Sequence, residues 1–371
     1  EADMILDRRL ILVVAILAAT ACASQGAPHP RASGSVAARF ANASMAYPYG
    51  GAQFTTFVRE SYAVNGQRSP EQFYLWLEKA YKASKAVYPG REKQTLEGVL
   101  LSRGREISAI PDTAVRAQAI VSTSAWLHKV VKASIPRFSL DRGFEFTKTV
   151  KYGERQCFLQ SVLLSGMLQK MGVPAGVAMV YRNIQGQESN NGHAVCIVKL
   201  PTNQDLIVDA SDKEPFVEHR GLFMNAGGYR FMEPHFLSTS PRISGYTLTA
   251  SRKSVKPSQI AVLDTQFLRS QFFYYRGERA KGGILASAKE RTAAGLRQSA
   301  IFFRRSVALC PQNPLAVYML GRTLGDLGQQ GEADKYLLAA SREYQKAGWL
   351  PGSPKQYAQS AAARRRPATK T

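Results

Sequence analysis

The chain has 371 residues, 45% hydrophobic and 20% charged, enough for two or three domains and a full core without a disulfide scaffold, which four cysteines could not supply densely. Its formal net charge of +22 attracts polyanions, such as anionic membranes or acidic cell-wall surfaces, without choosing among them. No basic stretch interleaved with aromatics sits on a recognisable nucleic-acid module, so nucleic acid is the disfavoured partner.

Met4 is followed by Arg8-Arg9, an apolar run from Leu10 to Ala19, and Thr20-Ala21-Cys22. A basic start, a short apolar core and a small-residue exit predict a secretory signal peptide over residues 1–22. The run is short for a membrane span. Ala19-Thr20-Ala21-Cys22 resembles a bacterial lipobox, which makes Cys22 a lipidation candidate; Ala19 and Ala21 also suit ordinary signal peptidase. The expected location is the periplasm or, as a membrane-anchored lipoprotein, the bacterial envelope. Residues 23–46, rich in Ala, Ser, Gly and Pro, read as a flexible linker.

Ser69-Pro70-Glu71-Gln72 predicts a helix start, with Ser69 as N-cap, Pro70 at the first helical position and Gln72 closing a capping box. Phe73, Leu77, Ala80 and Tyr81 follow at helical spacing, and Pro89-Gly90 stops the run. A second helix is expected from Pro111-Asp112 to about Lys132, with Ile120, Trp126, Leu127, Val130 and Val131 as its apolar stripe. His128, on this helix, reads as a surface or satisfied histidine.

Tyr152-Gly153-Glu154-Arg155-Gln156 reads as a loop, and Cys157 then opens a helix that Gly172 caps and Pro174 ends. Strands are expected at Ala175 to Tyr181, His193 to Leu200, and Leu206 to Asp209, with a polar loop from Asn183 to Gly192. A thiol at a helix N-terminus is favoured as thiolate by the backbone N–H groups and the helix dipole. His193 opens a strand after a loop, and Asp209 ends the next. If those strands are antiparallel neighbours, Asp209 can orient the imidazole and His193 can serve the thiol, as in nucleophile–base–orienter triads. Cys196 falls on the opposite strand face and reads as core. His219 and His235 remain rival bases. No His/Cys/carboxylate cluster has zinc-like spacing, so neither a metal nor any other cofactor is expected.

Gly153-Glu154-Arg155-Gln156-Cys157, Leu163-Leu164, Met171-Gly172-Val173-Pro174-Ala175, Asn191-Gly192-His193-Ala194-Val195 and Ile207-Val208-Asp209-Ala210-Ser211 together resemble the transglutaminase-like, papain-related superfamily over residues 115–212. Gln156 stands where a small or acidic residue is usual, and Val195 where Trp is familiar. The resemblance implies an α+β fold, a helix packed on an antiparallel sheet. It also implies thiol acyl-transfer on a peptide or protein amide: hydrolysis, deamidation or transamidation. Cys157, His193 and Asp209 would be catalytic, with Gln156 and Tyr152 as oxyanion or cleft candidates.

On this reading the enzyme domain, with an N-terminal helical part, spans residues 47–280. Its later part is aromatic, including Phe223, Phe231 and Phe272-Phe273-Tyr274-Tyr275, and either covers a cleft or packs on the core. Beyond about Ala286, Val317, Leu320-Gly321, Leu324, Gly328, Ala333, Leu337 and Ala340 are spaced like the packing residues of a tetratricopeptide repeat. Residues 281–350 would then be a helical repeat that binds a protein partner or buttresses the core, and 351–371 a disordered basic tail. The rival functional reading is an inert binding or assembly module.

Overall fold

The computed structural model describes residues 46–365. The signal peptide with Cys22, residues 23–45 of the linker, and the last six residues lie outside that range.

Four helices come first: α1 (Ala52–Val64), α2 (Glu71–Ala83), α3 (Leu96–Ala109) and α4 (Thr113–Ser134). Helix α4 starts as its sequence signals, Asp112 Oδ1 accepting from Val115 N at 2.8 Å. The capping box expected on α2 does not form. Ser69 contributes only its carbonyl, to Gln72 N, and Pro70 takes the N-cap position. Helices α1 and α3 were not anticipated.

Strand β1 (Arg137–Phe138), α5 (Phe146–Tyr152) and β2 (Glu154–Arg155) lead to the helix that Cys157 opens, α6 (Cys157–Lys170). The expected loop at 152–156 is in fact ordered: Tyr152 ends α5, Gly153 takes the left-handed C-cap (φ 64°), and Glu154–Arg155 pairs in parallel with β1. Every residue of α6 from Cys157 to Leu168 is buried, so the helix lies inside the molecule rather than along its surface. Gly166 permits this: a Cβ there would lie 2.8 Å from the Phe54 ring.

Seven strands follow in one antiparallel sheet. They are β3 (Ala175–Arg182), β4 (Glu188–Leu200), β5 (Gln204–Val208), β6 (Gly221–Asn225), β7 (Tyr229–Leu237), β8 (Ser240–Leu248) and β9 (Ser254–Val255). The order is β5-β4-β3-β6-β7-β8-β9, and β5 also pairs with β8, which closes β3 to β8 into a six-stranded barrel. Alternation along the strands gives each face its own task. Val195, Ile197, Ile207, Leu222, Met232 and Ile243 fill the interior, while Val177, Met179, Ala194, Cys196 and Val198 face the helices. Tyr246 and a buried Lys199–Asp205 pair also lie within the closed sheet; Nζ is 2.7 Å from Oδ2, and Tyr246 Oη donates to the same oxygen at 2.5 Å.

Five helices complete the fold: α7 (Thr265–Glu278), α8 (Ala293–Leu309), α9 (Pro314–Asp326), α10 (Gln330–Ala347) and α11 (Gly352–Arg365). Successive helices pack on one another, and α10 also reaches β7. The apolar positions noted in α9 and α10 are buried together, with Gly321 against Leu337. Helix α7 begins at Thr265, and its Phe272 and Tyr275 pack on Phe158 of α6. The expected disordered tail is helical as far as Arg365: Ala358 and Ala361 are buried, and Arg364 pairs with Asp334 at 2.6 Å. The protein is thus a mixed α and β structure, with helices packed around an antiparallel barrel.

Candidate active site

Cys157 occupies the first helical position of α6. Gln156 is the N-cap, and its Oε1 accepts from Phe158 N at 3.0 Å. At this position the Cys157 N–H has no intrahelical acceptor. The helix start is tied to the sheet through Ser161, whose Oγ donates to Cys157 O at 2.7 Å and lies 3.0 Å from Ala194 O.

Strands β4 and β5 are antiparallel neighbours, Cys196 opposite Val208, so His193 and Asp209 meet just beyond the end of β5. His193 Nε2 lies 2.8 Å from Asp209 Oδ2. Gly192, with φ 72°, sits in the irregular stretch where pairing with β3 jumps from Val180↔His193 to Arg182↔Glu188. Its carbonyl accepts a hydrogen bond from Tyr275 Oη, which pins the backbone beside His193.

Burial alone would lower the His193 pKa. The hydrogen bond to Asp209 and the neighbouring Cys157 thiol outweigh it and raise the imidazole to about 10. Burial likewise opposes ionisation of Asp209, yet His193, His219 and Ser211 N hold its carboxyl well below the usual carboxylate range. Burial pushes the thiols of Cys196 and Cys310 up to about 12 and about 11. All three cysteines of the described residues are free, and of them Cys157 lines the cleft.

Sequence reasoning offered His219 as a rival base; the structure makes it Asp209's second partner. Its Nε2 lies 2.9 Å from the same Oδ2, and the ring is buried outside the cleft lining. His235 is remote, exposed on β7 and bonded to Thr247 Oγ1. His128 is buried rather than superficial, with Nε2 3.3 Å from Asp212 O. Tyr152 does not reach the cleft: its ring lies against Arg142 at 4.4 Å and Lys151 at 5.2 Å. Gln156 does line the cleft, and its side chain also bonds Tyr275.

A chain of hydrogen bonds backs Asp209. Buried Arg155 Nε donates to Gln160 Oε1 at 2.9 Å, Gln160 Nε2 to Ser211 Oγ at 2.6 Å, and Ser211 N to Asp209 Oδ1 at 2.8 Å. It links the segment before the cysteine to the orienting carboxylate.

The ligand-type atoms of His193, Asp209 and His219 lie within 4.8 Å of one another, a grouping that linear spacing did not suggest. Both imidazole nitrogens are at hydrogen-bond distance from one carboxylate oxygen, so each already has its partner. The donor set suits an oriented base at least as well as a cation.

Cys157 and His193 open on a cleft of about 840 Å³, within the usual range for ligand sites. Its far wall comes from the C-terminal helices, through Leu315, Tyr318, Met319 and Arg322 of α9 and the Trp349–Pro354 segment. Tyr274 and Tyr275 line it too, so the aromatic run of α7 both packs and covers: Phe272 is core, and the tyrosines face the cleft. The clamp extends to β4, where Tyr344 Oη bonds Asn190 Oδ1 at 2.5 Å and Trp349 Nε1 bonds Glu188 Oε2 at 3.1 Å. No protein-family model, curated protein or solved structure matches the chain.

Proposed function

We propose that the protein is an exported thiol acyl-transfer enzyme of the transglutaminase-like, papain-related class, acting on peptide or amide bonds. The observation that supports this reading is that Cys157, at a helix N-terminus, and His193, held 2.8 Å from the buried Asp209 carboxylate, line the same cleft.

In this mechanism Cys157 Sγ attacks the amide carbon, and its proton resides on His193. The oxyanion that forms lies near the Cys157 N–H and the amide of Gln156, a suitable pair of donors. His193 gives its proton to the departing nitrogen, the C–N bond breaks, and a thioester remains on Cys157. Water or an incoming amine then attacks the thioester carbon, loses a proton to His193 and releases the thiol. Water yields hydrolysis or deamidation, and an amine yields transamidation. Asp209 holds the imidazole so that Nδ1 is left for the thiol, and His219 holds Asp209.

The test is the pH profile of Cys157 alkylation by iodoacetamide, read by mass spectrometry in wild type and His193→Ala. Rapid alkylation at pH 6 that depends on His193 supports the reading. A profile like that of a free thiol, indifferent to His193, sinks it and leaves the inert binding module as the better account. Product analysis on amide substrates then separates free ammonia from a new amine terminus.

A further inference from the structure

The charges lining the cleft are nearly all matched. Glu188 pairs with Arg182 at 2.7 Å, Arg279 pairs with Asp141 at 3.2 Å and Glu278 at 3.3 Å, and His193 has Asp209. Arg322 is the exception: among the described residues it makes no ion pair, and its Nε is buried without a partner. The guanidinium is nevertheless held in place. It projects from α9 against an edge-to-face pair of aromatic rings, 5.9 Å from the centroid of Tyr318 and 5.0 Å from that of Tyr357 on α11. A fixed, half-buried guanidinium with unused donors is the arrangement that takes a carboxylate, bidentately and with little ordering cost.

We infer that Arg322 is an anion-recognition point for the substrate, selecting acyl donors or acceptors that carry a carboxylate away from the reacting amide. The inference rests on the cleft being the acyl-transfer site, and it gives the C-terminal helices a specificity role beyond support. Acidic peptides and amino-acid amides bearing a free carboxylate fit this class. A neutral peptide would leave the cation unmatched.

Cys157 serves as the reporter. The full-length protein is treated with N-bromoacetyl ω-amino acids of increasing chain length and with their neutral carboxamide counterparts. Alkylation of Cys157 is followed by mass spectrometry. The ratio of acid to amide rates should peak at one chain length in wild type. In Arg322→Gln that peak should fall by roughly three- to tenfold, as expected for loss of a partly screened charge pair, while the neutral reagents react as before. Arg322→Lys, which keeps the charge but not the fork, should retain part of the preference. A ratio flat with chain length in wild type overturns the inference, as does a peak that survives Arg322→Gln. Failure of the acyl-transfer reading shows separately, as neutral-reagent rates indifferent to His193→Ala.

Discussion

On the proposed function, Asp209→Asn isolates the orienting role of the carboxylate with almost no change in volume. Asp209 Oδ2 accepts from both His193 and His219, and Oδ1 accepts from Ser211 N. An asparagine can satisfy Ser211 with its carbonyl only by turning its NH2 toward two imidazole nitrogens, each of which must then become an acceptor. The His193 proton moves to the nitrogen that faces Cys157, where it can no longer receive the thiol's proton. The charge balance shifts as well. Burial alone lowers the His193 pKa, so without the Asp209 carboxylate the imidazole's value falls and its neutral form gains at pH 7. The expected result is a fall in amide turnover of about 10³- to 10⁴-fold. Iodoacetamide alkylation should shift to the pH profile of a free thiol, while circular dichroism stays unchanged. Alkylation by Asp209→Asn at the wild-type rate below pH 7 would refute this account of Asp209.

Stability should depend on pH through the same pair. Asp209's depressed folded value contributes stability that is full above about pH 4 and lost as pH falls below it; the raised value of His193 contributes stability that is full below about 6.5 and lost as pH rises through about 10. The Tm gap between wild type and Asp209→Asn should therefore be widest near pH 5 to 6, shrink as pH rises past about 6.5, and have lost the His193 contribution by about pH 10. Gly192→Ala should cost about 1–2 kcal/mol by urea denaturation, because φ is 72° and the new Cβ would lie 3.3 Å from Tyr275 Oη; alkylation of Cys157 should slow with it. Asp205→Ala should cost about 3–5 kcal/mol, since it strands the buried Lys199 ammonium inside the barrel; a loss under 1 kcal/mol would contradict that burial. Treatment with a chelator should leave Cys157 alkylation unchanged, as a histidine–carboxylate hydrogen bond requires no cation.

The core of the site was legible because local signals and tertiary placement agree there. The cysteine at a helix start, Gly172 after that helix and the apolar stretches of β3 to β5 are each set by nearby residues, although β4 starts at Glu188, inside the expected polar loop, and antiparallel neighbours joined by a tight turn bring His193 to Asp209. Strands β6 to β8 were not legible. Residues 221–224 are buried on both faces, so alternation vanishes, and Pro234 and Gly227-Gly228 disguise the rest. His219 carries no local mark: it lies in the irregular segment between β5 and β6, which folds back so that its ring meets Asp209, ten positions earlier. Tyr275 looked like core because its ring is core; its hydroxyl meets Gly192, 83 positions away in the chain. The tail appeared disordered because α11 has little apolar residue content beyond alanine, and its docking relies on Ala358, Ala361 and the Arg364–Asp334 pair.

The cleft joins the middle of the described chain to its C-terminal part. The nucleophile and base are specified by residues 157–193, but the opposite wall and the clamp on β4 come from residues 315–354. A polypeptide still being made therefore carries its thiol well before it carries a place to bind substrate. A product cut short before Trp349 would have the triad's sequence without its enclosure, so completion of the chain acts as the final step in assembling the site.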